Sequence, residues 1–145
     1  MPLMKSKRVA VIVFLIVFAI GCFLAFWYRR ISSGVLDSGN FQILQTEMIA
    51  PNRIAMLAQR SDDVALSGNT VFVVIGDHHY STLELKRALH KSEPLFIADR
   101  AGLVIRWENP SELVIQCKDC GITKDRIEMQ KAFDGDVAIR YVGFP

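Results

Sequence analysis

From Val9 to Tyr28 the chain reads VAVIVFLIVFAIGCFLAFWY, 20 apolar residues without a charge, bounded by Lys5, Lys7 and Arg8 before and by Arg29-Arg30 after. At about 1.5 Å rise per residue such a helix is about 30 Å long, the hydrocarbon thickness of a bilayer. Trp27 and Tyr28 end the run, and their amphipathic rings favour the headgroup level. The pattern predicts a transmembrane helix over residues 9–28. Two other readings stand beside it. A cleavable signal peptide has a shorter apolar core and a small-x-small cleavage site, whereas bulky Phe26, Trp27 and Tyr28 fill that place here. A lipoprotein processed at Cys22 is the second, because Ala19-Ile20-Gly21-Cys22 resembles a lipobox. Six apolar residues follow that cysteine where a polar tether is usual.

After the run the pattern changes. Residues 29–40 include Ser32-Ser33-Gly34 and Asp37-Ser38-Gly39-Asn40, a turn-rich tether. Residues 41–145 have the length of one small domain, and their signals are mostly β. Phe41 to Met48 mixes apolar and polar residues as a first strand, and apolar Arg53 to Gln59 ends at the polar break Arg60-Ser61-Asp62-Asp63. Asn69 to Ile75 (NTVFVVI) is almost wholly apolar and β-branched, the pattern of a strand buried on both faces. Leu95–Ala98, Leu103–Trp107 and Glu112–Cys117, separated by tight turns, predict a three-stranded meander. Alternation puts Leu103, Ile105 and Trp107 on one face with Leu113, Ile115 and Cys117; Arg106, Glu108, Glu112 and Gln116 point to water. Val137, Ile139 and Tyr141 alternate with Ala138 and Arg140 in a last strand.

Two helices are predicted in this domain. Ser81-Thr82-Leu83-Glu84 is a capping box, followed by the apolar stripe Leu85, Ala88 and Leu89 and stopped at Glu93-Pro94. The second helix would start at Thr123, with Ile122 and Ile127 as a hydrophobic staple, and end near Asp134-Gly135; RIEMQ also alternates, which keeps a strand open there. The expected fold class is α+β: a single N-terminal transmembrane helix, then a small, mainly antiparallel β domain with one or two helices.

Charge changes the picture of location and partners. Three basic side chains and the α-amine precede the apolar run and two follow it, so residues 1–8 are expected in the cytoplasm and the domain outside the cell's inner (plasma) membrane. The whole chain carries +2, but residues 31–145 hold 12 Lys and Arg against 15 Asp and Glu, a net −3. A mildly acidic domain without a basic stripe excludes a nucleic-acid partner. The Lys86-Arg87 run reads as the solvated face of the first helix.

Candidate chemistry is sparse. Cys117-Lys118-Asp119-Cys120-Gly121 is the most specific polar cluster. Zinc would need a second pair of ligands, and His78, His79 or His90 would have to come close to supply it. A thioredoxin-type site needs its first cysteine at a helix N-terminus. In an oxidising compartment the simplest outcome is a local disulfide between Cys117 and Cys120; unpaired thiols and redox or metal roles stand behind it. Asp77-His78-His79-Tyr80 lies between the buried strand and the capped helix, and its side chains could ligate a metal or shuttle protons; a solvated polar loop is the bland alternative. The nine glycines form no phosphate-binding pattern, and no cofactor is expected.

The layout resembles one group of small, uncharacterised, membrane-anchored bacterial proteins. The resemblance rests on Pro51-Asn52, Trp107, Leu113-Val114-Ile115 and Val137-Ala138-Ile139-Arg140-Tyr141, with Arg53 where that pattern has Gly. It implies an anchored β-rich domain and brings no activity with it. The expected function is therefore a single-pass envelope protein whose domain is a non-catalytic module binding another envelope or exported protein, as an accessory subunit or toxin-immunity factor. The alternative is a metal- or thiol-dependent enzyme in which Asp77 to Tyr80 meet Cys117 and Cys120 in one pocket.

Overall fold

The computed structural model describes residues 3–32, 38–62, 68–99, 102–118 and 126–144. Helix α1 spans Leu3–Ser32 and contains an 18-residue stretch, Ile12–Arg29, of mean hydropathy 2.2 with no residue buried. It is long and apolar enough to cross a membrane. It extends past Tyr28 through Arg29 and Arg30, since nothing in Arg-Arg-Ile-Ser opposes helix.

The domain begins with β1 (Asn40–Ala50) and β2 (Arg53–Ser61), joined at Pro51-Asn52, with Ala50 opposite Arg53. β3 (Thr70–Gly76), α2 (Thr82–His90) and β4 (Phe96–Asp99) follow. Then come β5 (Leu103–Asn109), β6 (Glu112–Cys117), β7 (Ile127–Gln130), β8 (Phe133–Asp134) and β9 (Val137–Val142). These strands form a five-stranded sheet, β1-β2-β3-β4-β7, and a four-stranded sheet, β5-β6-β9-β8.

Three layers result. Ala55, Leu57, Val71, Val73, Phe96 and Ala98 face the small sheet and meet Leu103, Ile105, Leu113, Ile115, Val137 and Ile139. Phe41, Ile54, Met56, Phe72 and Val74 face the other way, onto Leu85 and Ala88 of α2. The apolar run at 69–75 is thus explained: Val71 and Val73 serve one core, Phe72 and Val74 the other. The capping box forms as the sequence predicts: Glu84 N–H donates to Ser81 Oγ, and Ser81 N–H donates to Glu84 Oε2.

Two expectations are corrected. The meander 95–117 is split, with β4 in the large sheet and only β5 and β6 paired in the small one. The reason is visible in the composition: Phe96, Ile97 and Ala98 are all buried, as a central strand demands, whereas β5 alternates. The helix expected from Thr123 to Asp134-Gly135 is strand where described, since Ile127–Gln130 pairs with β4; residues 119–125 lie outside the described residues. β4 needs a partner on its second edge, and that tertiary demand outweighs the local helix signals. As expected, the domain is mainly antiparallel; among the described residues only β6 and β9 run parallel.

Two contacts close the sandwich. A register shift between Ile43 and Gln45 turns β1 toward the small sheet. There the Gln45 amide acts as a peptide unit: its Oε1 accepts from Ile105 N–H at 3.0 Å and its Nε2 donates to Ile105 O at 2.7 Å. Trp107 Nε1 donates to Glu47 O at 3.0 Å beside it. On the outer face Val114 is fully buried between its cross-strand neighbours Arg106 and Arg140, which pair with Glu108 and Glu112. Arginine stems there roof an apolar side chain.

Candidate functional site

β3 ends at Gly76, and the Tyr80 ring lies so close that a Cβ on Gly76 would sit 2.6 Å from Tyr80 Cε1. Tyr80 N–H donates to Met56 Sδ at 3.3 Å. These contacts fold residues 77–80 over the end of the sheet and deliver the chain to the Ser81 cap. His78 stands between two carboxylates: Nδ1 is 2.6 Å from Asp77 Oδ1 and Nε2 is 2.9 Å from Glu84 Oε1. Glu84 Oε2 accepts from both Ser81 N–H (2.8 Å) and Ser81 Oγ (2.7 Å).

The electrostatics follow from that geometry. The Glu84 and Asp77 hydrogen bonds raise the pKa of His78 above its ordinary value. Donation from His78 lowers Asp77, and the Ser81 amide, the Ser81 hydroxyl and His78 bring Glu84 down to about 2. Burial raises Tyr80. An anionic acceptor on each nitrogen favours the imidazolium form, so the chemical work of His78 here is a staple between the loop and the first turn of α2. The Ser81 hydroxyl points at Glu84 as a cap. His79 is exposed beside it. Among the described residues no group of His, Cys, Asp and Glu is arranged to hold a metal ion.

The sign of the pH dependence can be stated. A raised His78 pKa contributes stability that is complete below the unfolded value of about 6.5 and fades as pH rises through the folded one. The depressed carboxylates contribute above their unfolded values, near 4, and lose that contribution as pH falls toward 2. The staple is therefore strongest between about pH 5 and 6.5. In detergent micelles the wild-type chain is expected to lose thermal stability as pH rises above about 6.5, and His78→Gln is expected to remove that loss.

Tyr80 belongs to the core under α2, whereas Cys117 is buried in the core between the two sheets. The large sheet separates them, so the structure does not bring the Asp77–Tyr80 loop and Cys117 into one pocket. Cys120 lies outside the described residues. Cys117 ends β6 against Gly143, whose φ of 79° and approach to Cys117 O (2.5 Å from a Cβ built there) leave no room for a side chain.

A second feature was not anticipated. A cleft of about 370 Å³ opens at the C-terminal end of α2, with Leu89, Ile97 and Met129 as its apolar floor and Arg60, His90 and Glu128 among its polar walls. The signal for it is width. One helix lying along the strands is about 10–12 Å across, while five strands spread over about 19 Å, so α2 leaves part of the sheet uncovered. No family model, curated protein or solved structure matches this chain.

Proposed function

We propose that α1 is a retained single-pass membrane anchor with residues 1–8 in the cytoplasm, and that the domain works outside the inner (plasma) membrane as a non-catalytic module binding another envelope protein. One observation carries the anchor: Ile12–Arg29 is wholly apolar up to its last residue and wholly exposed, so its side chains need an apolar surrounding that the domain does not offer them. The protein-binding role is supported by Leu44, Met48 and Ile49 on β1 and by Leu83 on α2, large apolar side chains left exposed on a mixed surface. Met48 lies opposite Ile54, which lies opposite Gly76. This is the end of the sheet over which α2 starts.

A reporter active only outside the cytoplasm, fused after Pro145, is expected to be active. A photo-crosslinking residue at Met48 or Leu83 of the membrane-embedded chain is expected to give one discrete protein adduct, and the same residue at the solvated Glu108 none. Reporter activity confined to the cytoplasm overturns the orientation; identical adducts from all three positions overturn the binding surface.

The exported location carries a proposal for the cysteines too. Cys117, buried at a strand end, closes a short loop with Cys120. Both are expected to resist thiol-trapping reagents until reductant is added. Because the loop is so short, replacing both with Ser is expected to lower stability by no more than about 2 kcal/mol.

A further inference from the structure

We infer that the last two turns of α2, with Lys86, Arg87, His90 and Lys91, rest on anionic lipid headgroups of the bilayer that holds α1. The inference depends on the anchor reading above. Placement comes first. β1 starts where the tether ends, and its first residues Asn40 and Phe41 pair with Ser61 and Arg60; Arg60 in turn pairs with Thr70. Arg60 and Thr70 line the cleft together with Leu89 and His90, and Lys86 Nζ lies 5.7 Å from the centroid of the Phe41 ring. The basic end of α2 and the point where the tether leaves the domain are thus the same end of the molecule.

Reach comes second. Asn40 follows Ser32 by eight residues, which span at most about 28 Å when fully extended. The 11 residues of β1 carry the Pro51-Asn52 hairpin about 35 Å to the far end of the domain. The tether is shorter than the domain, so the Asn40 end is held near the bilayer at high effective concentration.

Charge comes third. The domain as a whole is acidic, yet the six residues Lys86 to Lys91 (KRALHK) contain three permanent positive charges and a histidine and no acid. Arg87, His90 and Lys91 are exposed. Three acids stand nearby: Asp62 lies 2.7 Å from Arg60, Glu93 lies 3.9 Å from Lys91 and offsets part of its charge, and Glu128 is on the cleft wall beside His90, so Lys86 and Arg87 carry most of the attraction. Basic residues beside an anionic leaflet strengthen contact by roughly fivefold each, within a Debye length of about 8 Å. Ser92, at φ 57°, turns the chain away directly after the helix, so Lys91 ends the segment at the surface.

The test uses the full chain in lipid nanodiscs with a paramagnetic label on a fraction of the headgroups. Amides of residues 86–91 are expected to broaden in discs containing phosphatidylglycerol. The broadening should weaken at least fivefold in phosphatidylcholine discs or in 0.5 M salt. Arg87→Gln with Lys91→Gln, both on the exposed face, is expected to weaken it about 25-fold while the chain stays folded, with the thermal midpoint lowered by only a few degrees. Equal broadening in both lipids, or broadening at the Pro51-Asn52 hairpin instead, overturns the inference. So does protection of α2 that appears only in native membranes, which would assign this face to a protein. A chain that does not enter discs at all refutes the anchor reading itself, a result distinct from each of these.

Discussion

Phe96→Ala is expected to lower the stability of the domain by about 3–5 kcal/mol, measured by denaturant unfolding of the micelle-held chain. Phe96 is fully buried in β4, opposite Val73 and Gln130. Its ring meets Tyr141 at 5.8 Å and Phe144 at 5.2 Å, and those two rings meet each other at 5.4 Å. Phe96 belongs to the large sheet and Tyr141 to the small one, so the three rings join the two sheets. Tyr141 adds a polar tie: its hydroxyl donates to Lys131 O at 2.7 Å, and burial pushes its pKa up to about 12. Removing the Phe96 ring leaves a cavity and exposes the flank of that bond. Because small domains are held by only about 5–15 kcal/mol, this single change takes a large share of the total. Glu128→Gln, at an exposed position of β7, serves as the comparison and should change stability by less than about 0.5 kcal/mol.

The same residues show what the sequence makes legible. Strand burial is written in composition: wherever neighbours along the strand are apolar without alternation, as in Val71 to Val74 and Phe96 to Ala98, both faces are covered. Alternation at Leu103 to Trp107 marks the strand with one wet face. Local chemistry is equally readable, as the Ser81–Glu84 box demonstrates. What periodicity does not encode is which sheet a strand joins. Gln45 reads as an ordinary polar residue, yet its amide completes the hydrogen bonds of Ile105, 60 positions away. Tertiary pairing also turns Ile127 to Gln130 into strand, although Ile122 and Thr123 carry the sequence signals of a staple and a cap. For the candidate site, adjacency of Asp77 and His78 is plain in the sequence, but the role of Glu84 as the second acceptor depends on the loop folding back over the helix start. The separation of Tyr80 from Cys117 needs the layer order, which local patterns do not carry.

The second large effect concerns α1. Ile20→Arg combined with Leu24→Arg places two charges on one helical face near the middle of the apolar stretch. Each is expected to oppose insertion by about 2.5–3.5 kcal/mol, so the pair shifts partition by about 4 orders of magnitude. Alkaline extraction should then recover the doubly substituted chain in the soluble fraction, with wild type in the pellet. Cys22→Ala is the matched control. Cys22 is an exposed thiol within the helix, and alanine keeps both apolarity and helix propensity, so attachment should not change. If attachment instead followed lipid on Cys22, alanine would block maturation, and the intact mass of the wild type would begin at that residue and include the lipid. A cleaved signal would remove α1 altogether and leave no membrane fraction to compare. Retention of α1 makes a different demand: wild type and Cys22→Ala pellet together, and the arginine pair does not. Under that outcome the 20 apolar residues between Arg8 and Arg29 hold the sandwich at the membrane by solvation alone, with no covalent lipid.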